Sequence, residues 1–236
     1  MKHPRWNTAI QALLRGCFVI LLFSSAHAQN PDHSITISTG YLEASRIFLY
    51  PQSPDPLRRQ VSEDLGSTVS FSASYRYRLY APIAFQVRGE FAGNDLEMRD
   101  QVGTPISHGY EVWIIEAEAT FSLPFSTQRF DMYVGGGAGM YVGSRRYAIA
   151  GVEAESSSSQ PAFGIHVIVG AEYLLTEQLG LRADVLFRDP QMSVENRFSQ
   201  SSVVSRGIEY PLQNSPFLSH INLNGNVYAI GISWHY

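Results

Sequence analysis

Charged residues recur at alternate positions in this 236-residue chain. Arg76 and Arg78, Arg88 and Glu90, Glu116 and Glu118, and Arg182 and Asp184 are each two residues apart, and His166 and Glu172 lie an even spacing apart on a further stretch. A spacing of two puts both members of a pair on one face of a β-strand. Within such a set His166 could act as a base or a pH-sensitive gate. The set could line an ion path, or it could neutralise itself as a packed plug, with arginine forks holding carboxylates. The mixture of signs favours the plug, and His166 is expected to be a hydrogen-bonded filler within it. His33, His108 and His220 lack the spacing of metal ligands, so neither a metal nor a cofactor is implied.

The segments that must position these charges all have period two. Ser34–Tyr41 places apolar residues at odd positions. Val69, Phe71, Ala73, Tyr75, Tyr77 and Leu79 share a face opposite Ser70, Ser72, Ser74, Arg76 and Arg78. Ile83, Phe85, Val87 and Phe91 oppose Gln86, Arg88 and Glu90, while Trp113, Ile115, Ala117, Ala119 and Phe121 oppose Ile114, Glu116, Glu118 and Thr120. Four further segments, near 130–142, 163–173, 179–188 and 227–236, repeat the pattern, and the third of them places Arg188 beside Arg182 and Asp184. Sustained alternation is the signature of strands. The spacing therefore predicts eight strands of roughly ten residues or more, the length that crosses a bilayer at a tilt.

Connections alternate in length. Those near Tyr80–Pro82, Pro124–Arg129 and Thr176–Gln178 are short. Those at Tyr50–Asp64, Arg99–Gly109, Ile149–Pro161 and Asp189–Gly225 are expected to be long loops, with Ser156–Ser159 a loop tip and the last one long enough to rise as a hairpin. Both termini then fall on the short-turn side, the layout of an up-and-down barrel in an outer membrane.

Composition excludes other classes. Only 16% of residues are charged, and 13 Tyr and 13 Phe make disorder untenable. The one long apolar run is N-terminal, so a helical membrane bundle is excluded. The chain is not basic, so nucleic acid is not an expected partner. That N-terminal run reads as an export signal: Lys2, Arg5 and Arg15 precede Cys17–Phe23, and Ala26-His27-Ala28 fits a cleavage site, dividing the chain into a signal peptide, 1–28, and one domain, 29–236. Its removal takes three of 17 basic residues and none of 21 acidic ones, leaving 14 against 21, and it takes the single Cys. The remaining fold must then rest on packing and hydrogen bonds without disulfides.

The charges decide which face is wet. An arginine against acyl chains at the midplane costs roughly 2–4 kcal/mol, and several would consume the stability of an ordinary domain. The charged faces are therefore expected inside, where an eight-strand bore is just filled by side chains. Gly135, Gly137 and Gly139 would leave room there for long residues such as Arg88. Lipid offers the backbone no partners, so the last strand must pair with the first.

With these features together, the chain resembles the small outer-membrane barrels of the outer-membrane protein A type. Gly231-Ile232-Ser233-Trp234-His235-Tyr236 is similar to the C-terminal signal such barrels present to the barrel-assembly machinery, with Gly231, Trp234 and Tyr236 the signal positions and Tyr in place of the commoner Phe. Tyr133–Tyr141 resembles their glycine-rich strand. The resemblance implies an all-β, eight-stranded antiparallel barrel, exported to the outer membrane and monomeric. It implies a structural or surface-interaction role without catalysis, or, alternatively, a narrow channel for small or apolar solutes. Lipid and lipopolysaccharide are the expected surroundings, Arg58-Arg59 and Arg145-Arg146 could meet lipopolysaccharide phosphates, and the long loops could hold an extracellular ligand.

Overall fold

A computed structural model describes residues 32–223 and 225–236; the expected signal peptide and cleavage point lie outside the described residues. Thirteen antiparallel strand segments and one short helix follow in order: β1 (His33–Phe48), α1 (Pro56–Arg59), β2 (Ser62–Tyr80), β3 (Ile83–Arg99), β4 (Pro105–Ser122), β5 (Phe130–Ile149), β6 (Val152–Gln160), β7 (Ala162–Leu174), β8 (Leu179–Arg188), β9 (Gln191–Phe198), β10 (Ser202–Ser205), β11 (Ile208–Pro211), β12 (Phe217–Asn222) and β13 (Gly225–His235). The count departs from the eight strands expected, for a local reason. Pro161 separates β6 from β7 and Pro190 separates β8 from β9. A proline has no N–H to give a ladder, so pairing breaks there. β12 ends at Asn222, with Leu223 outside the strand, and β13 begins at Gly225.

Near the termini the ladders run β1–β2–β3–β4–β5–β7–β8–β13 and return to β1. The return is a nine-pair ladder from Ser34↔His235 to Leu42↔Val227, so the first and last strands do meet. Alternation then sorts the side chains. Ile37, Phe71, Phe85, Trp113, Ile165, Leu181, Ile230 and Ile232 point outward and are exposed, while Ser34, Thr36, Arg88, Glu116 and Arg182 are buried. The outer belt has an aromatic upper edge in Tyr41, Phe91, Trp113, Phe163, Phe187 and Tyr228. Just above it stand Glu43, Asp95, Glu111, Arg146 and Asp189.

Three expected loops are largely strand. The β3–β4 ladder continues to Arg99↔Pro105, leaving a short turn, Asp100–Thr104. Between β5 and β6 only Ala150 and Gly151 remain, both with positive φ. Ser156, Ser158 and Ser159 are not a loop tip, for they pair with Asn196, Glu195 and Val194 of β9. Ser219 and His220, expected in a loop, belong to β12. The region after Asp189 does rise, as β9 and β12 carrying a β10–β11 hairpin.

Candidate functional site

The lumen of the ring is occupied by side chains stacked in layers. Lowest, beside the termini, Arg76 lies 3.2 Å from Asp131 and 3.6 Å from Glu172. Glu172 accepts from Ser233 Oγ and stands 2.8 Å from His235 Nε2. Two groups from the last strand thus dock on one carboxylate of β7, across β8. Arg78 departs from the expectation: its side chain is 38% exposed, at the rim, 4.0 Å from Asp131. It lies three residues from the turn, where the lumen opens.

The middle layer is centred on Asp184. Arg88 reaches it at 3.0 Å, Arg182 Nε reaches it at 3.0 Å, and the Tyr133 hydroxyl donates to it. The guanidiniums of Arg76 and Arg182 lie over the Tyr133 ring at 4.6 and 4.9 Å. Arg182 also donates to Gln86 Oε1 at 2.6 Å, while Gln86 Nε2 donates to Glu118. His166 bridges two carboxylates, with Nε2 2.8 Å from Glu118 and Nδ1 3.7 Å from Glu116. Above, Arg188 forms a fork on Glu90, at 2.7 and 3.0 Å, and reaches Glu116 at 3.2 Å, where Tyr141 donates at 2.9 Å.

Glycines make this packing fit. Gly170 pairs across the ladder with Tyr133, and a Cβ on it would collide with the Tyr133 ring and Asp184. The space beside Gly139 is taken by Glu116 and Tyr141, within about 3 Å of where its Cβ would be, rather than by Arg88 as the sequence suggested.

Nine of the ten expected network residues (Arg76, Arg88, Glu90, Glu116, Glu118, His166, Glu172, Arg182 and Asp184) are thus buried and in mutual contact. Arg188, Asp131, Gln86, Tyr133, Tyr141, Ser233 and His235 join them but were not among the expected members. Their signal was present, since each falls on an inward position of its strand. Four buried guanidiniums (Arg76, Arg88, Arg182, Arg188) face six carboxylates (Glu90, Glu116, Glu118, Asp131, Glu172, Asp184), with His166 and His235 each 2.8 Å from a carboxylate oxygen. Breaking one such buried pair costs about 3–5 kcal/mol, because the survivor is left uncompensated.

Above the charges the lumen turns apolar. Ile47, Leu65, Val112, Ile114, Met192, Val194 and Ile221 pack together there. Higher still lies a small polar group. Arg145, proposed from sequence as a lipopolysaccharide contact, is instead buried and points inward, donating to Ser219 Oγ and to His108 Nδ1 at 3.2 Å. Burial, and secondarily Arg145, lowers His108 to about 4. Burial raises the Glu63 carboxyl, with Arg145 pulling it partly back. Arg146 does face outward, but against Asp95 and Glu111. Arg58 and Arg59 are exposed on α1.

The expected assembly-signal residues sit on the seam. Gly231 pairs with Ser38 on one side and Arg182 on the other, and a Cβ there would stand 2.6 Å from the Ile37 carbonyl oxygen. Trp234 faces outward, half-exposed. Tyr236 stacks on His33 with centroids 5.7 Å apart and donates its N–H to the His33 carbonyl at 3.0 Å.

Comparison with known proteins agrees with this architecture. The family model described as outer membrane protein beta-barrel domain matches residues 17–206. Among solved structures, the outer membrane protein OprG from Pseudomonas aeruginosa is similar with a TM-score of 0.63 at 12% identity, covering 89% of this chain and 98% of that one. Neisserial surface protein A gives a TM-score of 0.47 at 16% identity, covering 87% and 97%, and the attachment invasion locus protein Ail of Yersinia pestis gives 0.45 at 13%, covering 88% and 100%. No curated protein matches the chain. With more than half its length matched by the family model, and with an apolar belt around a charged interior, this chain belongs to the outer membrane protein beta-barrel family and resides in the outer membrane.

Proposed function

We propose that the protein is an inert-lumen outer-membrane barrel of eight continuous staves, with a structural or surface-interaction role and without catalysis. Three staves are counted across their breaks, as β6 with β7, β8 with β9, and β12 with β13. The supporting observation is the uninterrupted stack of buried side chains from Arg76 through Arg188 to Ile114, in which each charge along the axis is paired with another and the bore is filled. The natural surroundings are outer-membrane lipid and lipopolysaccharide, the chain is monomeric, and Gly231, Trp234 and Tyr236 engage the barrel-assembly machinery during biogenesis. A ligand of the outer surface would meet the β1–β2 connection with α1 and the β10–β11 hairpin.

The second reading, a narrow channel for small or apolar solutes, keeps one observation. Among the described residues β5 pairs with β7 only as far as Tyr141↔Ala162 and with β6 only from Ala148↔Glu153, so part of the wall lacks a backbone ladder. Planar-bilayer recording separates the two. The plug predicts no steady openings from the wild-type protein. Steady openings that disappear in Arg88→Ala or Glu116→Ala would overturn it.

A further inference from the structure

Above the belt the strands part into two leaves. In one, β3, β4 and β5 remain paired out to Arg99↔Pro105 and Ile106↔Ile149. In the other, β2, β1, β12, β9 and β6 pair in that order. Among the described residues the β2–β3 ladder stops at Ser70↔Ala92, and β5 meets β6 only at two pairs beside their turn. The leaves therefore face each other with little backbone pairing between them. Ile47, Leu65, Val194 and Ile221 of one leaf pack on Ala92, Tyr110, Val112 and Ile114 of the other.

Side chains bridge the leaves at their flanks, where Asn94 donates to the Leu65 carbonyl, Thr68 to the Gly93 carbonyl and Ser159 to the Gly143 carbonyl, and one titratable polar group bridges them inside. His108 (β4) and Arg145 (β5) come from the first leaf; Glu63 (β2), Asn196 (β9) and Ser219 (β12) come from the second. Arg145 donates to His108 Nδ1 at 3.2 Å and to Ser219, and its carbonyl accepts from Asn196 Nδ2 at 3.2 Å. Because Nδ1 accepts, the neutral ring carries its proton on Nε2, which stands 3.2 Å from Glu63 Oε2. Arg145 has no carboxylate within ion-pair distance among the described residues, and its guanidinium lies 4.4 Å over the Tyr147 ring and 5.8 Å from Phe217. The hydrogen bond from Arg145 to Nδ1 exists only with a neutral imidazole. A second proton would remove the acceptor and set two cations side by side in a buried site.

We propose that the extracellular end is a two-leaved jaw whose closed form is favoured by the buried Arg145–His108–Glu63 cluster, and that protonation of His108 opens it. The membrane ring below, closed by continuous ladders, stays intact. The groups facing His108 in this cluster are Glu63 from β2, Arg145 and Tyr147 from β5 and, near Arg145, Tyr50 from the β1–β2 connection. The signs run in opposite senses. His108 titrates near 6.5 when free and about 4 when shut in, so the closed jaw is fully favoured above 6.5 and loses ground as pH falls towards 4. Glu63, raised by burial, takes its proton more readily in the closed form and so resists opening. His108 alone allows at most roughly a 300-fold change in the open-to-closed ratio, and Glu63 reduces it. A separate tie holds the leaf tips: Tyr210 donates to Asp100 at 2.6 Å, and Arg206 donates to the Val102 carbonyl at 3.2 Å. The Asp100 carboxyl is held below the usual range chiefly by Tyr210, and the Arg206 bond ends on a carbonyl that does not titrate, so opening spreads the flanks.

The test is a distance between leaves in the full chain, reconstituted in phospholipid nanodiscs. Spin labels at Glu97→Cys on β3 and Arg197→Cys on β9, in a Cys17→Ser background, report it by pulsed dipolar spectroscopy at pH 7.5 and pH 4.0. The distribution should lengthen and broaden at pH 4.0, while His108→Gln and Arg145→Met, each checked for heat-modifiable mobility as evidence of a folded barrel, should keep their pH 7.5 distribution. Identical distributions at both pH values in the wild type, or a shift that persists in both variants, would overturn the proposal.

Discussion

The ring at membrane height and the two leaves above it are built from the same strands with opposite polarity. At Ile37, Phe85 and Ile115 the apolar side chains face out and the charges face in. A few residues further along β4, Tyr110 and Val112 face in, and Glu111 lies on the outer face. The strand geometry does not change between these levels; the solvent does. In hydrocarbon the charges must turn inward and pair, whereas in water the ordinary arrangement with apolar residues inside returns. Closure differs for the same reason. Lipid tolerates no open edge, so the lower ring has a ladder at every neighbour, while water can satisfy the edges where the leaves part.

This contrast can be broken at single residues. The largest effect is expected from Arg188→Ala, which strands Glu90 and Glu116 in the lumen; it should cost about 3–5 kcal/mol, read as a lowered urea midpoint in vesicles. A stability loss under about 1 kcal/mol, the scale of an exposed pair, would mean that water reaches the network. Next comes Ile37→Arg, on the outward face of the lower ring, at roughly 2–4 kcal/mol. Gly170→Val forces a side chain into Tyr133 and Asp184 and should cost about 1–3 kcal/mol, with a visible change in the near-ultraviolet signal of the tyrosines. The smallest effect belongs to Leu57→Arg on α1. Leu57 is 77% exposed against 70% for Ile37, yet this substitution faces water and should fall within about 0.5 kcal/mol of wild type. Similar exposure with unequal cost is what separates a lipid-facing surface from a wet one; equal costs would erase the distinction.

The same reversal explains what the sequence made legible. Below the belt edge the two faces are chemically unlike, so alternation identified the strands, their inward sides and most of the network. Arg188 stood on the inward face of its segment but left no i+2 partner in charge, so it did not stand out as a member. Tyr133 and Tyr141 stood on the inward face of their strand but carry no charge, so they did not stand out as members; the opposed Gly170 and the carboxylates show their hydroxyls at work. At the edge itself, Trp113 and Ile114 are both apolar although one faces out and the other in. Where polarity switches, alternation blurs, and continuous strand reads as loop; His108, Arg145 and Ser219 were misplaced for that reason. The breaks at Pro161 and Pro190 were visible as residues, but whether a proline ends a strand or kinks it depends on neighbouring ladders that local sequence does not carry.

The inside-out ring is tested most directly by thiol accessibility along β2, because Ser→Cys is nearly isosteric and Cys17 is the single native cysteine. In a Cys17→Ser background reconstituted in lipid, Ser70→Cys and Ser74→Cys should stay unmodified by both a charged, membrane-impermeant thiosulfonate and a lipid-soluble maleimide, while Phe71→Cys and Ala73→Cys should react with the maleimide alone. Labelling of either serine-site variant by the charged reagent would reveal a water-filled bore, and labelling by the maleimide would put the serine face against lipid; either would contradict a ring packed with charge inside and clad in apolar residues outside.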